Sequence, residues 1–307
     1  MKRITTIAEM RRDVAQRRAA GRRVALVPTM GALHDAHLAL VRLAASHADD
    51  VVVSIFVNPT QFDRSDDLAA YPRDLDGDER ALATLGAAQP AVVFAPELEE
   101  MYPRPPVTTV RVAELTSRLC GASRPGHFDG VATVVTKLLA IVAPDIAVFG
   151  RKDRQQLAVV ERLVEDLNLP VEIVAAPTVR EADGVATSSR NRRLDTEGRR
   201  RARGLSGALA VGVDMLRALA PDQMLRVADL EAALRREMAD AGLTIDYAEV
   251  VEPGTMQPPL GSAVRPSDRL VLAVAAYVSD VRLIDNVEFG DAGDEKRLLA
   301  AVDADGE

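Results

Sequence analysis

The chain has 307 residues, 48% of them hydrophobic and 27% charged, a balance typical of folded domains and not of disordered chains. Its formal net charge of -8 provides no overall basic field for a nucleic-acid backbone, so we expect no nucleic-acid partner. The single cysteine, Cys120, excludes an internal disulfide and a cysteine-based zinc site, and it favours a reducing, cytoplasmic environment.

The sequence predicts neither a targeting signal nor a membrane-spanning segment. The first 21 residues lack an apolar signal core, and no stretch reaches the roughly 18 apolar residues that cross a bilayer. We therefore expect neither secretion nor membrane insertion. One basic run, residues 190–203, is interpreted as a solvated helix face in preference to a nucleic-acid patch.

Five apolar runs bounded by turn residues predict strands that are buried on both faces, as in a parallel sheet. They are residues 23–28, 50–59, 91–96, 146–150 and 171–177. Amphipathic segments with helical spacing lie between them, near residues 34–47, 74–86, 126–142 and 153–167. This alternation predicts a doubly wound α/β domain over residues 1–185.

The pattern changes after residue 185. Two segments with helical spacing, 195–218 and 225–241, precede three predicted strands that are too closely spaced for helical crossovers, at 244–253, 268–278 and 281–289. The sequence thus predicts a smaller α+β domain with a meander over residues 186–290. The acidic stretch 291–307 is expected to be a flexible tail.

Two histidines, His34 and His37, follow the first predicted strand at a spacing of three residues. A helix that starts near Leu33 or His34 places both on one face, beside the positive end of the helix dipole. Imidazole N–H groups there can donate to phosphate oxygens; packed core histidines are the alternative. A metal site is disfavoured, because helices that bind zinc through two histidines space them four residues apart with an intervening Glu. Only two other histidines, His47 and His127, could serve as a further ligand.

Further polar residues follow other predicted strands, where ligands bind in open parallel sheets. Gln61 and Gln156 are neutral amides suited to a small hydroxylated carboxylate. Lys152, near a helix N-terminus, suits a phosphate. The run 188–190, Ser-Ser-Arg, suits a polyphosphate, with a serine helix cap as the alternative. No Ser-His-Asp or Cys-His arrangement is evident, so we expect no covalent enzyme intermediate.

Six motifs, in order over about residues 24–195, resemble the pantoate–β-alanine ligase (pantothenate synthetase) family of the nucleotidyltransferase superfamily, whose helix carries a His-x-Gly-His motif. They are PTMGALHDAH, SIFVNPTQF, DLAAYPRDLDGD, GHFDGVATVVTKLL, FGRKDRQQL and PTVREADGVATSSRNRRL. The C-terminal region resembles the family more loosely, through IDYAEV and RLIDN. The resemblance implies a Rossmann-like nucleotide- and pantoate-binding domain, a C-terminal lid domain and a homodimer.

The activity implied by the resemblance is the ATP-dependent condensation of (R)-pantoate with β-alanine to give pantothenate, in the vitamin B5 and coenzyme A pathway. Pantoate and ATP first give pantoyl adenylate and pyrophosphate, and the amine of β-alanine then displaces AMP. Mg²⁺ accompanies the ATP. The chain is thus expected to be a ligase that forms a C–N bond.

The resemblance also implies roles for individual residues. The implied catalytic residues are His34, His37, Lys152 and Asn58, with His37 as the proton donor. The implied ATP-binding residues are Met30, Gly31, His34, His37, Gly150, Lys152, Asp153, Val179, Thr187, Ser188, Ser189 and Arg190. The implied pantoate-binding residues are Gln61, Gln156, Pro28, Met30, Phe56, Val131, Val134 and Val135. Gln61 is also assigned to β-alanine, Tyr71 to the wider active site and Asp78 to Mg²⁺.

Four positions depart from the family pattern. Ala36 replaces the motif glycine, Thr187 replaces a usual Met, and Arg151 and Arg154 replace other residue types. The two arginines either strengthen phosphate binding or pair with nearby carboxylates such as Asp153. These departures keep two alternatives open: a related adenylate-forming ligase with another acid or amine, and a non-catalytic nucleotide-binding paralogue.

Overall fold

The computed structural model describes residues 1–63 and 65–303 and divides the chain into two units. The first unit contains Met1–Thr116, Arg124–Arg151 and Val159–Ala176. The second contains Ser117–Ser123, Lys152–Ala158 and the chain from Pro177 onward. The predicted domain boundary at residues 185 and 186 stays a prediction.

The first unit is built on a parallel sheet of six strands. They are β1 (Lys2–Ile4), β2 (Val24–Thr29), β3 (Asp50–Ile55), β4 (Val92–Phe94), β5 (Ile146–Gly150) and β6 (Glu172–Ala176), in the order β1-β4-β3-β2-β5-β6. The chain runs outward from β2 through β3 to β4 and then continues on the other side of β2 with β5. Strand order reverses between β2 and β5, the position where open α/β sheets bind ligands.

Among the described residues, eight α-helices precede residue 177. They are α1 (Ile7–Ala19), α2 (Asp35–Ala45), α3 (Ser65–Ala70), α4 (Leu75–Ala83), α5 (Leu98–Met101), α6 (Leu119–Ser123), α7 (His127–Val142) and α8 (Arg154–Asp166). Helices α2 and α4 share an apolar core with one face of the sheet. This core includes Val41 of α2 and Val27 and Val53 of the sheet. Residues of the opposite face, such as Leu26 and Val52, are equally buried, so both faces of the sheet are covered.

The second unit combines helices with an antiparallel meander. Its elements after residue 177 are α9 (Thr196–Arg217), β7 (Leu225–Arg226), α10 (Val227–Asp240), β8 (Thr244–Val251), β9 (Ala263–Val264), β10 (Leu270–Val278), β11 (Val281–Phe289) and α11 (Ala292–Asp303). The strand order of the meander is β11-β10-β8, while β7 and β9 form a separate pair. Leu209 of α9, Leu234 of α10 and Leu272 of β10 share one buried core.

The predicted fold class is confirmed: a six-stranded parallel sheet with helices and a smaller part with antiparallel strands are both present. The strand predicted over residues 50–59 is β3, which already ends at Ile55. Pro59 begins a 3-10 turn instead, since its nitrogen carries no hydrogen to donate to a sheet. Strand β1 and helix α1 were not predicted. Among the described residues, no helix is both long enough and apolar enough to cross a membrane.

Residues 291–307 were expected to be a flexible tail, but residues 292–303 form a helix. Helix α11 lies there, and its Leu298 is fully buried in the core of the second unit. Leu299 and Val302 pack against the same core. Three apolar residues at helical spacing outweigh the acidic composition of the segment. Residues 304–307 lie outside the described part of the chain.

Candidate functional site

The loop after β2 is fixed by a carboxylate from α4. The loop has left-handed backbone at Gly31 (φ 81°) and Ala32 (φ 53°). Asp78 is buried; its Oδ1 accepts the Leu33 N–H at 2.7 Å and its Oδ2 accepts the Ala32 N–H at 3.1 Å. A Cβ at position 31 would lie 2.8 Å from Asp78 Oδ2, so this position requires glycine. Asp78 therefore fixes the backbone that leads into α2.

His34 and His37 stand at the N-terminus of α2. His34 is the N-cap residue with extended backbone, and Ala36 and His37 lie in the first turn. The two imidazole rings are 4.1 Å apart. The backbone N–H of His34 donates to His37 Nδ1 at 3.4 Å, which leaves the proton of the neutral ring on Nε2. An Nε2–H at a helix N-terminus is suited to an anion, and the predicted phosphate-binding role of this pair stays a prediction.

Asn58 and Gln61 lie on the loop after β3, the strand beside β2. Asn58 is almost completely buried, and its Nδ2 donates to the Gly130 carbonyl at 3.2 Å and to Gln61 Oε1 at 3.1 Å. The Gln61 Nε2 contacts Met30 Sδ at 2.8 Å. Two residues of the predicted pantoate set, Gln61 and Met30, are thus in contact.

Helix α7 approaches this loop closely because it has a glycine at the point of contact. A Cβ on Gly130 would lie 2.3 Å from the Thr60 carbonyl oxygen and 2.7 Å from the Gln61 nitrogen. The predicted apolar wall is also in the first unit. Its members on α7 and after β3 are buried, namely Val131, Val134, Val135 and Phe56, while Pro28 and Met30 are half-buried.

Tyr71 contacts the loop that carries the histidines. Its hydroxyl lies 3.5 Å from the Gly31 carbonyl oxygen, to which it donates. Its ring packs edge-on against Phe62 at a centroid distance of 5.7 Å. The structure thus places Tyr71 beside the loop after β2, and its role in the wider active site stays a prediction.

The carboxylate of Asp78 is engaged by the backbone of the loop after β2. Both carboxylate oxygens of Asp78 accept backbone hydrogen bonds. Among the described residues, no three His, Cys, Asp or Glu side chains form a group that could hold a metal. The two hydrogen bonds show that Asp78 fixes the loop, and its assignment to Mg²⁺ stays a prediction.

In the second unit, Lys152 and Gln156 follow β5 directly in sequence. Lys152 lies in a 3-10 turn, Arg151–Asp153, and Gln156 lies in the first turn of α8. The carbonyl oxygen of Lys152 accepts a hydrogen bond from Asn286 Nδ2 of β11 at 2.8 Å. The Lys152 side chain is 19% exposed, and its Nζ lies 4.0 Å from Asp153 Oδ2. Lys152 is therefore anchored through its backbone.

A hairpin in the second unit leads to the predicted polyphosphate-binding run. The Thr187 N–H donates to the Val179 carbonyl oxygen at 2.9 Å, and Arg180 pairs with Ala186 as an isolated bridge. The guanidinium of Arg180 forms a buried two-pronged pair with Asp285, at 2.6 and 3.1 Å. The hairpin is thereby pinned to β11.

Ser188 serves as the cap of the 3-10 turn Ser189–Arg193. Its hydroxyl accepts the Arg190 N–H at 3.3 Å, which is the capping role that the sequence left open. Arginines further along the basic run pair with carboxylates, such as Arg199 with Glu181 at 2.9 Å and Arg200 with Glu197 at 2.6 Å.

Arg154 pairs with a carboxylate, one of the two possibilities that the sequence left open, although not with Asp153. It is buried; its Nη2 donates to the Pro253 carbonyl oxygen at 2.8 Å, and its Nε lies 3.6 Å from Glu288 Oε2. Arg151 belongs to the first unit and is half-buried. The departure at position 154 is thus accounted for by contacts within the second unit.

The residues that contact the predicted set and were not anticipated include Tyr102, Thr60 and Asn286. Tyr102 lies just beyond α5 after β4, and its hydroxyl donates to Asn58 Oδ1 at 3.0 Å. Thr60 donates to the same oxygen at 3.0 Å. Since β4 is the neighbour of β3, the rule that ligands bind beyond strand ends could have drawn attention to Tyr102.

Comparison with known proteins identifies the family. Residues 2–288 match the family model described as pantoate-beta-alanine ligase. A pantothenate synthetase from Pseudomonas aeruginosa is 49% identical over 290 residues, and one from Moorella thermoacetica is 47% identical over 293; each alignment covers 94% of this chain and 98% of the relative. The crystal structure of a pantothenate synthetase from Thermus thermophilus is 43% identical, with a TM-score of 0.84, covering 94% of this chain and 99% of that one.

A pantoate-beta-alanine ligase structure from Francisella tularensis is 30% identical, with a TM-score of 0.72 over 95% of this chain and 99% of that one. The family match and the identity of nearly half the residues extend over almost the whole chain, well beyond the six motifs. This chain therefore belongs to the pantoate–β-alanine ligase family and is a ligase.

Proposed function

We propose that this ligase condenses (R)-pantoate with β-alanine to give pantothenate in two half-reactions. The pantoate carboxylate attacks the α-phosphorus of ATP, and pyrophosphate leaves; the β-alanine amine then attacks the acyl carbon of pantoyl adenylate, and AMP leaves. The observation that carries the proposal is the pair of imidazoles, 4.1 Å apart, at the α2 N-terminus where strand order reverses. The Francisella tularensis ligase, complexed with beta-gamma ATP and beta-alanine, supports it.

In the first half-reaction, an anionic carboxylate must approach an anionic phosphate, so donors that neutralise the phosphate charge lower the barrier. His37 Nε2–H and His34 supply such donors at a helix N-terminus, and His37 donates a proton toward the phosphate oxygens. We assign Lys152, Ser188, Ser189 and Arg190 to the phosphates as well. Backbone groups at Gly150, Asp153 and Val179 are assigned to the adenosine.

Pantoate is assigned to the two glutamines and the apolar wall. Neutral amides can orient its hydroxyl and carboxylate groups without neutralising the attacking oxygen. Gln61 is supported as a donor toward pantoate by its contact with the thioether of Met30, since a thioether is only a weak acceptor. Met30, Phe56 and the valines of α7 suit the methyl groups of pantoate.

In the second half-reaction, the unprotonated amine of β-alanine displaces AMP and releases one proton. Gln61 is assigned to β-alanine as well. No enzyme nucleophile is required, because the acyl group passes from phosphate directly to nitrogen. The chain's part in this step is to position the amine and exclude water from the adenylate.

Mg²⁺ enters the proposal as part of the MgATP substrate. Mg²⁺ is commonly bound by substrate phosphates and water with one or two carboxylates. We further propose a cytoplasmic homodimer, with residues 1–185 binding nucleotide and pantoate and residues 186–290 acting as a lid over the substrates.

The experiment is a reconstituted reaction of the purified chain with MgATP, pantoate and β-alanine, followed by pyrophosphate, AMP and product mass. Without β-alanine, pantoate-dependent exchange of labelled pyrophosphate into ATP isolates the first half-reaction. We expect exchange with pantoate, and AMP with pantothenate when β-alanine is added. If exchange does not depend on pantoate or does not occur, the proposal is overturned. Exchange without formation of pantothenate would assign another amine to the second step.

A further inference from the structure

A chain of polar side chains links the loop after β4 to the loop after β3 and ends on Gln61. The Tyr102 hydroxyl donates to Asn58 Oδ1 at 3.0 Å, and Asn58 Nδ2 donates to Gln61 Oε1 at 3.1 Å. We propose that Tyr102 is a positioning residue for pantoate: through Asn58, it fixes the Gln61 carboxamide so that Nε2 faces the substrate. The inference rests on the proposed function, because Gln61 is there the pantoate contact.

The orientation of the Asn58 amide is determined from both sides. The Gly130 carbonyl oxygen, 3.2 Å from Nδ2, can only accept a hydrogen bond, so the amide nitrogen must face it. Oδ1 then faces two hydroxyl donors, Thr60 and Tyr102, each at 3.0 Å. A flipped amide would place a nitrogen against both hydroxyls and an oxygen against the carbonyl. Asn58 therefore has one satisfied orientation in its buried position.

That orientation fixes Gln61 in turn. Asn58 presents an N–H to Gln61, so Gln61 must present Oε1 to Asn58, and Nε2 points to the opposite side of the carboxamide. Met30 Sδ lies there, 2.8 Å from Nε2. A thioether sulfur is a weak acceptor, which a substrate carboxylate or hydroxyl oxygen can replace with a gain in hydrogen-bond strength. The relay thus presents a donor, and not an acceptor, to the substrate.

Tyr102 is itself held in place and kept as a donor. Its ring centroid is 6.1 Å from that of Phe56, and Lys137 Nζ lies 4.9 Å from it on the ring face. Burial raises the pKa of the Tyr102 phenol above its ordinary value, so the hydroxyl keeps its proton at neutral pH. The phenol is therefore a permanent donor at the start of the relay.

The kinetic test compares Tyr102→Phe with Tyr277→Phe, which removes a hydroxyl from an exposed tyrosine of β10. We expect Tyr102→Phe to raise the pantoate KM about three- to tenfold, the range for loss of one neutral hydrogen bond. The ATP KM should change by less than about twofold. Tyr277→Phe should leave both constants unchanged. Asn58→Asp, which places oxygen against Gly130 and Gln61, should raise the pantoate KM further.

A second readout needs no substrate. The side-chain amide cross-peak of Gln61, assigned by its loss in Gln61→Glu, should shift or broaden in Tyr102→Phe and stay in place in Tyr277→Phe. An unchanged cross-peak together with an unchanged pantoate KM would overturn the relay, as would equal rises in the pantoate and ATP KM values. If the unaltered chain shows no pantoate-dependent exchange, the proposed function fails instead, and the cross-peak alone decides whether the relay exists.

Discussion

The Leu33 N–H donates to Asp78 Oδ1 at 2.7 Å, one residue before the N-cap of the helix that carries the histidine pair. Together with the bond from Ala32 to Oδ2, it ties a loop with two left-handed residues to a buried carboxylate of α4. The backbone on which His34 depends is thus fixed by Asp78, which lies 45 positions from Leu33 in sequence.

We expect Asp78→Asn to lower the free energy of unfolding by about 1–3 kcal/mol, because the amide nitrogen would face a backbone donor in a buried position. Pyrophosphate exchange should fall at least about tenfold, since a displaced loop moves the imidazoles. Urea unfolding and exchange assays measure the two effects. The matched control is Asp76→Asn on the same helix, whose side chain is 74% exposed.

The same variant separates loop fixation from metal ligation. Loop fixation predicts that the Mg²⁺ concentration for half-maximal exchange is the same in Asp78→Asn and in the unaltered chain. A large rise in that concentration with unchanged stability would instead favour a Mg²⁺ ligand at position 78.

The imidazole of His37 has two roles that substitution can separate. Its Nδ1 accepts the His34 N–H, and its Nε2 is assigned to phosphate in the proposed reaction. Gln at this third helical position can also accept the N-cap N–H, as in a capping box. We therefore expect His37→Gln to keep most of the stability of the chain while exchange falls about 100-fold or more.

His37→Ala should lose exchange to a similar extent and should also be less stable. The control is His47→Ala, since His47 is exposed beyond the C-terminus of α2 and should leave exchange unchanged. Exchange at the normal rate in His37→Gln would refute the assignment of His37 as the donor.

The sequence predicts those parts of the fold and candidate site that depend on local pattern. Strands β2 and β3 were found because their runs are continuously apolar, and His34 and His37 because their spacing matches one helical turn. Strand β1 has only three residues, too few for a pattern, and the acidic composition of 291–307 concealed the apolar face of α11.

Contacts between distant residues could not be predicted in this way. Asn58 and Gly130 are 72 positions apart, and nothing in either motif states that one amide faces the other carbonyl. The partner of Arg154 is Glu288, on a strand of the meander, and the sequence suggested only nearby carboxylates such as Asp153.

Acid sensitivity of the first unit should depend on Asp50 at the start of β3. The hydrogen bond from Arg22, with a second from Arg17, holds the pKa of the Asp50 carboxyl below its ordinary value of 3.8 despite burial. A lowered pKa contributes stability that is complete above the unfolded value and is lost as the pH falls through the folded value.

We expect Arg22→Ala to be less stable than the unaltered chain near neutral pH, with a difference that shrinks below about pH 4. Chemical unfolding between pH 3 and 7 measures it, and Arg11→Ala on the exposed face of α1 is the control. A difference that is the same at both ends of this range would refute the linkage to Asp50.

Gly130 and Gly207 are both helical glycines, yet the structure predicts opposite effects of alanine at the two positions. At Gly130, the added methyl group would lie 2.3 Å from the Thr60 carbonyl oxygen, so α7 or the loop that carries Gln61 must move. At Gly207 of α9, the nearest atom is Glu237 Oε1 at 3.6 Å, an ordinary contact. Gly207→Ala should therefore gain up to about 1 kcal/mol from helix propensity alone.

We expect Gly130→Ala to lose about 1–3 kcal/mol of unfolding free energy, the usual cost of an overpacked contact, in spite of the same gain in propensity. Because the displaced backbone carries Gln61, the pantoate KM should rise more than the ATP KM. Thermal unfolding and steady-state kinetics of the two variants test both statements side by side. Equal stability of the two alanine variants would show that α7 and the Thr60 turn can separate at no cost, and that this close contact does not determine where Gln61 lies.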